Sequence, residues 1–173
     1  MMSDGLPVDR FLQTVEIVFR EGRHLSYSWG RLYSQEIDAD WVKRLDTKPE
    51  LAERLEAFVS RFGRMQDTTA DKLLPRWLAA LAEAPGSQIE TLNRAERLGV
   101  LESVERWLEA RTLRNRLVHE YMKDADSFSD DLQLAKEYSG LLFDTYHRVR
   151  EFAATRMGID KSKLPEKLPL VQN

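Results

Sequence analysis

LQLAKEYSGLLFDTYHRVREFAATRM, residues 132–157, carries Leu134, Tyr138, Leu141, Leu142, Tyr146, Val149 and Phe152 at spacings of three and four. That period lines one face of an α-helix with apolar side chains and leaves the other face to charged ones. Gly158 supplies the stop. The same period recurs upstream. Leu6 to Glu21 holds Val8, Phe11, Leu12, Val15, Val18 and Phe19; Leu51 to Phe62 adds Leu55, Phe58 and Val59; Leu101 to Tyr121 holds Val104, Leu108, Leu113, Leu117 and Val118. Helices with one apolar face bury it against one another, so the expected fold is all-α, an antiparallel bundle of about four long helices plus short ones. The 8 Gly and 6 Pro are too few for a protein built of many hairpins, and most of them fall where helices end.

Between these segments the signals are weaker. Residues 25–36, LSYSWGRLYSQE, read as irregular or helical, with no second strand to pair them as a sheet. Asp38 caps a short helix running to Leu45. Thr47-Lys48-Pro49-Glu50 and Ser87-Gln88-Ile89-Glu90 both have capping-box spacing. Leu73, Leu74, Trp77, Leu78 and Leu81 add a turn that Pro75 bends or restarts, and Asp67, Asp71 and Lys72 read as capping residues. Trp77 and Trp107 belong to apolar stripes and are expected in the core. Asp124–Asp131 reads as a polar turn with Ser129 as a cap. Residues 1–46 form an N-terminal helical extension packed on a core at 47–158, in one domain overall. The proline-containing tail 159–173 is expected to lie over the surface or hang free.

Composition narrows the function. With no cysteine, a disulfide scaffold, a thiolate metal site and a cysteine nucleophile are excluded. Lys and Arg number 26 against 29 Asp and Glu, so nucleic-acid binding has to come from a local basic patch. No apolar run approaches the ~20 residues that span a bilayer, and the N-terminus lacks a signal-peptide pattern. A cytoplasmic protein with no membrane partner is expected. His24 and His147 stand apart from any metal-ligand spacing, and no metal or cofactor is expected.

One segment concentrates chemistry: residues 111–121, RTLRNRLVHEY. Arg114 offers a planar fork of donors that matches a phosphate. His119 is the side chain best suited to moving protons near neutral pH. At about 100° per residue Asn115 and His119 lie ~40° apart, whereas Arg114 and His119 lie ~140° apart. Such a divergence is poor for a site within one chain and suits a cleft where the helix meets its own copy across a two-fold axis. Taken singly, Arg114 reads as a solvated arginine, His119 as a histidine favoured by the helix C-terminus, and Tyr121 as an aromatic at the core edge. Arg106, Arg111, Arg114 and Arg116 form a basic stripe with Glu102, Glu105, Glu109 and Glu120 interleaved, and Arg111 and Arg116 are candidates for RNA backbone contacts.

Taken together, Arg114, Asn115, His119 and Tyr121 resemble the R-x(4)-H-x-Y motif of the HEPN superfamily in its HepT-type branch, at the end of a helix followed by a polar turn and a final long helix. The resemblance covers about residues 47–157 and implies a HEPN-like bundle. It implies a homodimeric, metal-independent endoribonuclease, the toxin of a toxin–antitoxin pair. Arg114, Asn115 and His119 would be its catalytic residues, and RNA its substrate through the 2′-hydroxyl. It further implies a minimal nucleotidyltransferase as antitoxin partner, adding AMP to Tyr121. Two alternatives stand beside it: a non-catalytic substrate- or partner-binding subunit of a nucleotidyltransferase, and a plain interaction module.

Overall fold

The computed structural model describes residues 2–119 and 123–169. It is an all-helical bundle with no strand among those residues. Its elements are α1 (Met2–Leu32), α2 (Ala39–Arg44), α3 (Pro49–Thr68), a π-helical turn (Thr69–Leu73), α4 (Leu74–Ala80), α5 (Gln88–Arg97), α6 (Val104–His119) and α7 (Ala125–Thr155), followed by a 3-10 turn at Lys161–Lys163. α1 packs along α3 and α4 and against α7; α6 lies against α3 and α7; α2 rests on α7. A single apolar core runs through all of them, and Trp41, Trp77 and Trp107 are fully buried in it.

Several elements differ from their sequence reading. The stretch at 25–36, read as irregular or helical, is helix to Leu32 as a continuation of α1 and irregular beyond it, because Leu25, Trp29 and Leu32 extend the buried face and Tyr33 donates its hydroxyl to the Leu132 carbonyl at 2.5 Å. Asp38 caps α2 as expected, accepting from the Trp41 amide at 2.8 Å, and Ser87 accepts from the Glu90 amide at 3.3 Å. The box at Thr47 does not form. Lys48 is the N-cap of α3 without a side-chain bond, and Pro49 in the first turn sets the start instead.

Asp67, Asp71 and Lys72 cap nothing, since α3 runs through the π turn into α4. Pro75 brings no N–H and crowds the preceding turn; the wider π turn just before it absorbs that misfit and keeps the helix continuous. α6 begins at Val104 rather than Leu101, and Val118 is 49% exposed rather than inward. α7 begins at Ala125 with Asp124 as its cap, so 125–131 is helix and Ser129 is buried inside it. Leu134 stays 38% exposed. Gly99 (φ 84°) and Gly158 (φ 66°) take the left-handed conformation that lets the chain turn away after α5 and α7.

The described part of the tail lies over α1 and α7 and is pinned there. Tyr146 donates to the Glu166 carbonyl at 2.7 Å, Arg150 to the Pro165 carbonyl at 2.7 Å, and the Leu168 amide donates to His147 Nε2 at 2.9 Å. Leu168 fills the space left by Gly22, where a Cβ would stand 2.6 Å from the leucine Cδ1. Accepting that amide requires neutral imidazole. Burial first, then Lys167, hold His147 below its ordinary value, with Arg150 adding to the effect and Asp144 opposing it. The docked tail thus has the depressed pKa. Its contribution is complete above the free-imidazole value of about 6.5 and is lost as pH falls through the lower, docked value. Amide resonances of Leu164, Glu166, Lys167 and Leu168 are expected to move toward random-coil positions on acidification, and to lose that pH dependence in His147→Gln. Resonances unmoved by acid in the wild type would refute the latch.

Candidate functional site

Helix α6 delivers the motif. Its buried face, Trp107, Ala110, Leu113 and Leu117, fixes the rotation of the helix, and Arg114 then leans toward α3. Arg114 Nη2 donates to Asp67 Oδ2 at 2.9 Å. One turn earlier on α3, Gly63 leaves bare backbone beneath the arginine: a Cβ there would lie 2.8 Å from Arg114 Nε. The guanidinium is therefore seated over a glycine and fixed at one edge by a carboxylate. Two of its nitrogens, Nε and Nη1, make no hydrogen bond with the described residues.

Arg114 borders a groove of about 640 Å³ between α3 and the end of α6. Leu55, Val59, Leu117 and Val118 give it an apolar wall, and Arg64 and Asp67 line its polar side. At its far end Thr68 donates to Glu21 at 2.9 Å. Burial raises the Glu21 carboxyl against the lowering effects of that bond, Arg64 and Lys72.

The other predicted residues disperse. His119 ends α6, exposed, and its ring bonds to none of the described residues; Asn115 is likewise exposed. Neither borders the groove that holds Arg114. Arg111 points to α5, donating to Gln88 at 2.5 Å, while Gln88 donates to Asp71 at 2.6 Å. Arg116 turns to α7 and grips Asp131 through two bonds of 3.0 and 3.2 Å. Tyr121 lies outside the described residues. Within one chain, then, Arg114 and His119 flank an edge of α6 and share no pocket. Among the described residues no three His, Asp or Glu side chains converge as a metal site would require.

Gly63 and Arg64 escape the sequence reading, which takes Asp67 for a capping residue rather than the partner of Arg114. Gly63 offered the one available signal: a glycine inside an apolar helical repeat costs about 1 kcal/mol against alanine, which calls for a packing reason. No family model matches the chain, and neither a curated protein nor a solved structure does.

Proposed function

We propose that the protein is a toxin-type, metal-independent endoribonuclease that acts as a homodimer about the ends of α6. The observation that carries this reading is Arg114, seated on Gly63 at an open groove with two nitrogens of its fork unbonded among the described residues, five residues before an exposed histidine. The apolar wall of the groove, with Val118 49% exposed, gives a second copy something to bury. Pairing two α6 ends would bring each chain's Arg114 and His119 to one cleft.

In that cleft the RNA 2′-hydroxyl attacks the adjacent phosphorus and the bond to the 5′-oxygen breaks. The products are a 2′,3′-cyclic phosphate and a free 5′-hydroxyl. His119 transfers the proton, Arg114 stabilises charge on the non-bridging oxygens, and Asn115 orients the histidine or the phosphate. A minimal nucleotidyltransferase is the proposed antitoxin, with Tyr121 as AMP acceptor; a bulky anion there would repel the substrate phosphate.

The Asp67 contact favours a second reading. It already neutralises part of the Arg114 charge, as would suit a non-catalytic partner-binding subunit of a nucleotidyltransferase. Incubating wild-type and His119→Ala protein with total cellular RNA in EDTA separates the two. Cleavage by the wild type alone, leaving cyclic phosphate ends, is the expected result. Inert wild-type protein with an unmodified Tyr121 by intact mass would give the subunit reading instead, and full activity in His119→Ala would remove the histidine from the mechanism.

A further inference from the structure

Around α3 from the groove, on an adjoining face, the last turns of α1 and the first turns of α3 enclose a second hollow of about 250 Å³. It is lined by Tyr27, Arg31, Arg54 and Arg61 and by the carboxylates of Glu50 and Glu53, which leave three guanidinium groups against two acids. Tyr27 is 60% exposed, yet it is not loose. Arg31 donates to its hydroxyl at 3.0 Å and lies 5.8 Å from the ring centroid, fixing one side of the ring. Arg61 is held by neutral acceptors, the Ser28 hydroxyl at 2.7 Å and the His24 carbonyl at 3.2 Å. Among the described residues none of the three arginines has a carboxylate within ion-pair distance. Arg106, Arg114 and Arg116 elsewhere in the fold do.

Guanidinium groups without an ion-pair partner bind anions, and here Arg31 and Arg61 are held in place by neutral acceptors while the phenol reports the field of all three. The Tyr27 hydroxyl is held below its ordinary value by the Arg31 hydrogen bond first, with Arg61 and Arg54 contributing. An aromatic ring with an open face stacks a base, and arginine forks match phosphate oxygens. Asp and Glu side chains would use the arginines but offer the ring no aromatic face, whereas every nucleotide carries both a phosphate and a base, so the combination favours a nucleotide strand.

We propose that Tyr27, Arg54 and Arg61 form a binding site for single-stranded RNA flanking the segment held at Arg114. The inference rests on the ribonuclease reading and deepens it. The two hollows adjoin along α3, where Ser60 and Arg64 line one and Ala57 and Arg61 the other, so a single extended strand of a few nucleotides reaches both. Arg31 is the positioning residue for the ring.

The test compares full-length wild type with Tyr27→Ala, Tyr27→Phe and Arg54→Ala, all exposed or half-exposed positions whose folding thermal melts will verify. The probes are a fluorescein-labelled twelve-nucleotide single-stranded RNA and a dinucleotide substrate, whose single phosphodiester at Arg114 leaves no flanking nucleotides for the second hollow. Tyr27→Ala and Arg54→Ala are each expected to weaken binding of the twelve-mer about tenfold, while Tyr27→Phe keeps its stacking face and binds like wild type. Dinucleotide cleavage is expected to stay unchanged in all of them. Wild-type cleavage with unaltered twelve-mer affinity in both alanine variants overturns the flanking site alone. A wild type that neither binds nor cleaves RNA overturns the ribonuclease reading, and the site with it. Displacement of the twelve-mer from wild type by hexaglutamate, with the loss of affinity for that peptide in Arg54→Ala but not in Tyr27→Ala, assigns the patch to an acidic partner and overturns the RNA site.

Discussion

Arg114→Ala is expected to lower RNA cleavage by about 10²–10³-fold, the usual effect of removing one preorganised charge-stabilising donor, while the protein melts within a few degrees of wild type. The stability half follows from burial. Arg114 keeps 32% of its side-chain surface in solvent and Asp67 keeps 49%, so their ion pair falls in the range of about 0–1 kcal/mol. The activity half follows from geometry, because the fork offers further N–H donors while Nη2 stays on Asp67. Arg114→Lys is expected to restore little. A lysine ammonium is a single charged point that cannot hold Asp67 and grip a phosphate with a planar pair of donors. Single-turnover cleavage assays beside thermal melts decide it, and a wild-type rate in Arg114→Ala would remove the arginine from the mechanism.

Gly63 sharpens the same argument because it separates fold from function. In Gly63→Ala the helix gains about 0.5–1 kcal/mol of propensity, which offsets loss of the Arg114–Asp67 contact, so stability is expected to stay near wild type. The new Cβ, 2.8 Å from Arg114 Nε, pushes the guanidinium out of its seat, and cleavage is expected to fall. Wild-type activity in this variant would mean that the seat does not matter to the reaction.

Helical periodicity made most of the bundle legible, and its failures have physical causes. Leu25, Trp29 and Leu32 carry the α1 stripe through Gly30, but Ser26, Ser28, Gly30 and Ser34 dilute the local pattern; burial against the rest of the core outweighs that propensity. The π turn at 69–73 was invisible because one extra residue per turn shifts the repeat without changing composition. Ser129 has the chemistry of a cap, yet Asp124 lies next to the true start of α7 and takes that place. At the site, α6 announced Arg114 and His119 by residue type. Asp67 and Gly63 belong to another helix, and only tertiary packing brings them beneath Arg114. A single sequence records which groups could do chemistry more readily than which neighbours orient them.

Trp107→Ala is expected to cost about 3–5 kcal/mol, the largest stability loss of any change considered, and a large share of the 5–15 kcal/mol that holds a typical domain folded. Trp107 is completely buried on the inner face of α6, and truncation leaves a cavity that the interlocked helices cannot close. Trp107→Phe is expected to cost much less. It keeps most of the ring volume and removes an indole N–H that is buried with no hydrogen-bond partner among the described residues, a group whose burial costs about 1–3 kcal/mol by itself. Urea denaturation midpoints of the two variants measure the difference; equal losses would mean that the indole N–H carries no penalty, and an alanine variant within 1 kcal/mol of wild type would mean that the cavity collapses. Because the same helix carries Arg114 and His119, Trp107→Ala should lose cleavage in step with unfolding as temperature rises. Arg114→Ala should lose it at every temperature with the fold intact, and that contrast distinguishes a residue that holds the site up from one that acts in it.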